Sequence, residues 1–414
     1  MIRLNARFIL LFVVVAILGI IGLRSIPVDE VPEVTLDAPY YNVTLGYIAA
    51  TQNDLPEDEY LISLAENDIN EYCEDNDIIW RFHFDVKCAE GQPQNAHDFT
   101  GEFAEDGVKL VGGYAWSSFL CGGARKNAHA NNMTLVSVAS TSPLIAIPDS
   151  TFRLCHHDLR QVDPILAIMD DHNVSSVIII YRGDHWGDLI VDELKSKYTS
   201  TIVEKIRYPA ETTEFAHYLE MAEAAYLGYN GSDKPHVLLI SFNEAASLLT
   251  QASDFPVLFN TTWLGADSIA DSRHIREDSG EYAAQVSLYS PKQAVYSSDP
   301  DYSTINRFYR EEFSEDMDFY KSNVYDCCWL MAYCVIDTNT TDGVTIQSSI
   351  LEVASNHTGI TGDLSLDENG DRVYVPYAVW GYFEVDGEYV SRECGLYDSQ
   401  SGMINWDTDL VEIK

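Results

Sequence analysis

Lysine and arginine are scarce. The chain carries 25 of them in 414 residues against 65 aspartates and glutamates, a formal net charge of −40. A nucleic-acid binder needs a basic face to displace counterions, so that class is excluded. Docking of the body on an anionic membrane surface is excluded for the same reason. Cysteine numbers eight, with no CxxC pair and no Cys/His spacing that reads as zinc. No set of residues has the pattern of a catalytic triad, a nucleophile elbow or a phosphate-binding loop. Beyond residue 23 no apolar run is long enough to span a membrane, so the chain alone is neither a channel nor a permease. Hydrophobic residues still make up 46% and aromatics 12%, enough for a large core, which excludes global disorder.

The one long apolar run is Phe8 to Leu23, preceded by Arg3 and Arg7 and closed by Arg24. Positive residues stay on the inner side, so the body is expected to be exported. No small-x-small cleavage site comes after it, and no cysteine lies there for a lipid anchor. An uncleaved signal anchor over residues 1–25 is favoured over a cleaved signal peptide. This places the body on the outer face of the cell membrane, or free outside if the segment is removed. Seven Asn-x-Ser/Thr sequons begin at Asn42, Asn132, Asn173, Asn230, Asn260, Asn339 and Asn356, candidate glycan acceptors in an exported chain. In that compartment disulfides form, and Cys88 with Cys121 is the preferred pair; buried free thiols are the alternative.

After an acidic, Pro-punctuated linker over residues 26–40, strand and helix patterns alternate. Strands are expected at 41–48, 80–86, 108–113, 135–139, 174–181, 202–208 and 236–241. Helical spacing appears at 61–72, 188–198, 214–227 and 244–252. Val174 to Tyr181 is continuously apolar, as a strand covered on both faces must be. The alternation implies parallel sheets in a doubly wound α/β fold. An acidic, Tyr-rich helical region comes next at 302–337. Residues 362–413 read as an antiparallel appendage, with Asn369-Gly370 as a hairpin turn. The run Asp367 to Asp371 fails as a calcium loop, because its twelfth position falls on Pro376 instead of Glu.

Ligands of open α/β sheets sit beyond the carboxyl ends of the strands. Gly113-Tyr114-Ala115-Trp116-Ser117-Ser118 ends one strand with hydroxyls and free N–H groups, suited to a carboxylate, or with a simple helix cap. Ser140-Thr141-Ser142-Pro143 ends another, as a hydroxyl-rich turn. Asp158 is a cap or the receiver of an ammonium group. Trp186, after the apolar strand, is core packing or a ligand wall. Asp267 is a surface-turn residue or a second acid at a strand end. The adjacent His156 and His157 cannot share one helical face, so no metal is expected there, and no cofactor anywhere.

These elements, in this order, resemble the type I periplasmic binding proteins of the branched-chain amino-acid-binding kind, related to the ligand-binding regions of glutamate and GABA receptors. The resemblance rests on Gly113 to Ser117, on Ser140 to Pro143, on Phe152-Arg153 with Asp158 to Gln161, on Asp184-His185-Trp186-Gly187, and on Thr361-Gly362 with Asp367 to Arg372. It implies two doubly wound parallel-sheet lobes joined by a three-stranded hinge. Lobe 1 is expected at 41–155 and 289–362, and lobe 2 at 156–288 and 363–414. It implies that Ser117, Ser118 and Thr141 hold a ligand carboxylate. The Ser140 carbonyl, Asp158 and Asp267 would take the ammonium, Trp186 would cover the ligand, and Tyr325 would contribute from the second lobe's edge. The implied function is a non-enzymatic solute receptor for an amino acid or related amide or carboxylate, serving an ABC-type permease or a membrane sensor. An exported hydrolase on the same scaffold, or a surface protein without a ligand, are the alternatives.

Overall fold

The computed structural model describes residues 40–411, so the expected signal anchor at 1–25 and nearly all of the linker lie outside the described residues. Among the described residues, no helix is long and apolar enough to cross a membrane. Two sheets organise the chain. The first contains β1 (Tyr41–Ala49), β2 (Trp80–Cys88), β3 (Leu110–Gly113), β4 (Thr134–Ser137) and β5 (Thr151–Arg153) in the order β2-β1-β3-β4-β5, all parallel.

The second sheet contains β6 (Ser176–Gly183), β7 (Thr201–Pro209), β8 (His236–Ile240), β9 (Trp263–Gly265) and β10 (Tyr289–Gln293), also parallel. A minor antiparallel pair, β11 (Thr358–Gly359) and β12 (Gly362–Asp363), stands apart. Three antiparallel strands then extend the second sheet: β13 (Tyr377–Val385), β14 (Glu388–Asp398) and β15 (Met403–Trp406). Its order is β15-β14-β13-β10-β9-β8-β6-β7.

Apolar runs became strands buried on both faces because side chains alternate along a strand. In β6, Ile178 and Ile180 enter one core while Val177, Ile179 and Tyr181 enter the core on the other side. β1 behaves alike: Val43, Leu45, Tyr47 and Ala49 face one core, and Ile48 faces the other. The helix Leu55–Asp75 buries Leu61, Ala65, Ile69 and Cys73 at four-residue spacing. It packs beside the helix Phe319–Thr338 in the core that covers the first sheet.

Several expectations change. β10, expected in the first lobe, joins the second sheet between β9 and β13. Leu364 and Leu366, expected in the second lobe, instead belong to the first sheet's core. The Tyr-rich region is two helices, Pro300–Phe313 and Phe319–Thr338, because Ser314 takes a left-handed conformation (φ 62°) that ends the first. The regular hairpin lies at Asp386-Gly387, both with positive φ, between β13 and β14. Asn369-Gly370 closes only a single bridge, Leu366 with Arg372.

The preferred disulfide is corrected as well. All eight cysteines are free, with Cys121 exposed on a separate helical turn and Cys88 half-buried at the end of β2. The other six are buried, and desolvation pushes thiols such as Cys155 and Cys327 up to about 12, making them packing groups. All seven sequon asparagines are exposed.

Candidate functional site

Backbone geometry forces the first strand-end turn. Gly113 sits at φ +97°, and a Cβ there would lie 2.2 Å from the Ile48 carbonyl oxygen, so only glycine lets the chain turn against β1. The turn delivers Ser117 to a broken helix that begins at Ser117–Phe119 and is kinked at Gly123. The Ser142 N–H donates to Ser117 Oγ at 3.1 Å, which leaves the Ser117 proton free to donate elsewhere. Ser118 is exposed beside it.

The second strand-end turn, Ser140-Thr141-Ser142, is held from behind. The Arg153 guanidinium donates to the Ser140 carbonyl at 2.9 Å and the Ser142 carbonyl at 2.8 Å. Arg153 is itself fully buried and paired through two nitrogens with Asp371. This corrects the role expected of Ser140. Its carbonyl is engaged by Arg153, its hydroxyl donates to the Tyr114 carbonyl at 2.7 Å, and the residue is buried, so it shapes the turn.

Thr141, at the apex, meets Asp158 from the opposite half. The Asp158 N–H donates to the Thr141 carbonyl at 2.8 Å, and the Thr141 hydroxyl hydrogen-bonds the Asp158 carboxylate. Burial pushes that carboxyl up to about 7, with the Asp267 charge adding to the rise and the Thr141 hydroxyl opposing it. Asp267 begins a short turn after β9, where its N–H donates to Gln161 Oε1 at 2.8 Å. Burial pushes its carboxyl up to about 6, opposed by the Ser268 N–H, Gln161 and the Lys292 charge. Two acids whose charged forms are costly therefore stand within electrostatic reach of each other.

On the same side, Asp184 caps the helix His185–Lys197 by accepting from the Gly187 N–H at 3.0 Å. Gly187 is required because a Cβ would come within 2.1 Å of the Arg182 carbonyl oxygen. This close start fixes Trp186, whose ring stacks on Phe242 at 4.4 Å between centroids. Arg182 lies over the other ring, 4.8 Å from the Phe242 centroid, and bonds Asp184 and Glu244.

These groups enclose a cavity of about 330 Å³, lined from the first half by Ser142 and Pro143 and from the second by Asp158, Asp184, His185 and Trp186, among others. The size suits a small solute. No lysine or arginine lines it. Asp267 is not among the residues that line it. A second cavity of about 200 Å³, at the strand ends of the first sheet, is lined by Trp116, Ala139, Asp58, Asp318, Tyr320 and Lys321, among others. Among the described residues, no group of three or more His, Cys, Asp or Glu is arranged to hold a metal ion.

Tyr325 is elsewhere. Its hydroxyl donates to Asp68 at 2.7 Å, and it lines a separate cavity with Trp329 and Tyr333 on the first half. The expectation failed because Tyr325 lies on a helix face that packs toward Leu55–Asp75. Sequence reasoning missed Phe242, which the rule that found Trp186, an aromatic just past a strand end, would have found. It also missed Gln293, Tyr320 and Lys321, for which no local pattern exists.

A sequence profile described as the receptor family ligand binding region matches residues 62–383. An uncharacterized protein of Methanocaldococcus jannaschii is 25% identical, over 84% of this chain and 87% of that protein. Among solved structures, the branched-chain amino acid transporter substrate binding protein of Streptococcus pneumoniae, in complex with isoleucine, is similar in fold (TM-score 0.63, 16% identity, 86% of this chain, all of that one). A leucine binding protein of Thermotoga maritima is similar too (TM-score 0.62, 15% identity, 89% of this chain, all of that one). So is a solute binding protein of Rhodopseudomonas palustris in complex with 3,4-dihydroxybenzoic acid (TM-score 0.61, 16% identity, 86% of this chain, 98% of that one). The shared fold is the α/β type I periplasmic-binding-protein fold.

Proposed function

Because the chain belongs to the family of receptor ligand-binding regions, we propose that it is a non-enzymatic solute receptor whose two lobes close on an amino acid or a closely related zwitterion. The observation that carries the reading is Asp158. It is a carboxyl pushed up to about 7 by burial, joined across the cleft to Thr141, backed by Asp267, in a cavity without lysine or arginine. Arg153 and Lys292 offset only part of the burial cost of this acid pair, which is stabilised further when an ammonium group arrives. Ser117, whose Oγ accepts from the Ser142 N–H of the cavity lining, would with Ser118 and Thr141 offer hydroxyl protons and N–H groups that suit a carboxylate without a competing charge. Trp186, stiffened by Phe242, supplies a flat apolar wall.

Closure depends on differential contact. Thr141 and Ser142 belong to the first half and Asp158 and Trp186 to the second, so a ligand touching both favours the closed arrangement over the open one. In this reading the Arg-flanked apolar run of residues 1–25 exports the chain, and the closed receptor is presented to an ABC-type permease or a membrane-bound sensor.

A thermal-shift panel tests the reading. The chain is screened against α-amino acids, their amides, small carboxylates and sugars. An occupied site at 100 times its dissociation constant adds about 2.7 kcal/mol of stability. The expected outcome is a rise with one or more α-amino acids. Shifts confined to sugars or neutral amides would remove the zwitterion assignment.

A further inference from the structure

The chain passes between the two halves three times: after β5, after β10 and before β13. One residue bonds to all three passages. His156 lies in the first and is 3% exposed. Its N–H donates to Gln293 Oε1 at 2.8 Å, and its carbonyl accepts from Gln293 Nε2 at 3.1 Å, which ties it to the end of β10. Its ring ties it to the third passage, with Nε2 3.1 Å from the Val373 carbonyl oxygen and Nδ1 3.2 Å from the Tyr377 hydroxyl. Gln293 Nε2 also reaches the Tyr320 hydroxyl at 3.4 Å, on the helix that flanks the first sheet.

The chemistry fixes the ring's state. A carbonyl only accepts, so Nε2 carries the hydrogen. Burial holds the ring neutral, its pKa lowered to about 3, so Nδ1 keeps a lone pair and accepts from the Tyr377 hydroxyl. Every polar atom of His156, backbone and side chain, is thus committed to a segment that must rotate when the halves move. The neighbouring ties differ in kind. Arg153 with Asp371 joins the first passage to the third but reaches nothing on β10.

We infer that His156 is the positioning residue of the hinge: a neutral imidazole whose four bonds fix the three passages in the arrangement seen here and so set the balance between open and closed cleft. The inference rests on the reading of the chain as a two-lobed receptor, but not on the identity of its ligand. Hinge residues are the few positions that absorb the backbone change during domain closure. If the four bonds are kept in one arrangement and strained in the other, removing one changes the ratio of arrangements about 3- to 10-fold, the value of a typical net hydrogen bond.

The experiment uses the full chain without ligand. Spin labels are placed on exposed Cys121 in the first half and on Leu227→Cys in the second, with Cys88→Ser removing the other accessible thiol. Pulsed electron resonance then reads the distance distribution between the halves, beside a melting curve for each variant. Tyr377→Phe, which removes one hydroxyl, and Gln293→Leu, which removes both backbone ties, should each raise the population at a second distance. His156→Phe should raise it most. His156→Gln, whose amide still donates to the Val373 carbonyl, should restore part of the original distribution. A lowered melting temperature with an unchanged distribution in Tyr377→Phe and Gln293→Leu would make these contacts merely structural and overturn the inference. No change in either quantity would overturn it too. Those two variants keep the test decisive if His156→Phe fails to fold. A chain that binds no amino acid would defeat the proposed function without touching this result.

Discussion

Replacing Asp158 by Asn separates two effects that the structure predicts to have opposite signs. In the empty protein the ionised carboxylate is a burden. Its carboxyl is raised from 3.8 to about 7, which at about 1.4 kcal/mol per pH unit sets an upper bound of roughly 4 kcal/mol against the charged form well above neutrality. Asn keeps the shape and can still bond Thr141, so at pH 8 the empty variant should be more stable by about 1–3 kcal/mol. At pH 5, where the wild-type acid already carries its proton in the folded state, most of this gain should vanish. Ligand binding should move the other way. Removing one partner of a buried charge-assisted pair costs about 2–5 kcal/mol, or roughly 30-fold or more in affinity. Melting curves of the empty protein at pH 8 and pH 5, with calorimetric titration of the amino acid that most stabilises the wild type, give both numbers. A variant that is less stable at pH 8 and binds as tightly as the wild type would return Asp158 to a plain cap and refute the ammonium corner.

Three other outcomes are expected. Trp186→Ala removes the ring stacked on Phe242 and should weaken ligand binding about 2- to 12-fold, with circular dichroism unchanged; calorimetry reads it, and unaltered affinity would make Trp186 packing only. Affinity for an ammonium ligand should fall as pH drops from 8 to 5, because the empty site takes up protons at Asp158 (about 7) and then Asp267 (about 6). The decline approaches about tenfold per pH unit per protonated group, and a flat profile in titrations across that range would contradict it. Asp371→Asn leaves the Arg153 guanidinium buried without its ion pair and should cost about 3–5 kcal/mol of stability, read by urea unfolding; a loss below 1 kcal/mol would show that the turn around Thr141 is held by other means.

Much of the architecture was legible because the strands announce themselves twice, by apolar content and by the turn at each carboxyl end. Val177 to Tyr181 is apolar at every position since both its faces are covered. Gly113 and Gly187 mark the tight entries to the site because a side chain would strike backbone oxygen. Thr141, Asp158 and Trp186 were found at such ends, and the structure brings them together around or beside one cavity. What failed depended on pairings distant in sequence. β10, Tyr289-Ser290-Pro291-Lys292-Gln293, lacks the apolar content of a strand such as β6, and only its partners β9 and β13 assign it to the second sheet. Ser140 lost its expected role to Arg153, a contact fixed by where β5 ends. Tyr325 carries no local sign of the helix face it occupies, and Cys121 none of its exposure. Gln293 and His156 are 137 residues apart, so nothing in the local pattern of either could have announced the hinge.

The central claim is that the cleft recognises a zwitterion through an acid pair, and the most direct test compares two ligands that differ only in the ammonium group. The full chain is titrated calorimetrically with the best-binding α-amino acid and with its desamino acid, the same carboxylate and side chain without nitrogen. The account predicts that the desamino acid binds at least about 30-fold more weakly at pH 8, the cost of facing Asp158 and Asp267 with no cation. Equal affinity for the two compounds, or tighter binding of the desamino acid, would contradict it.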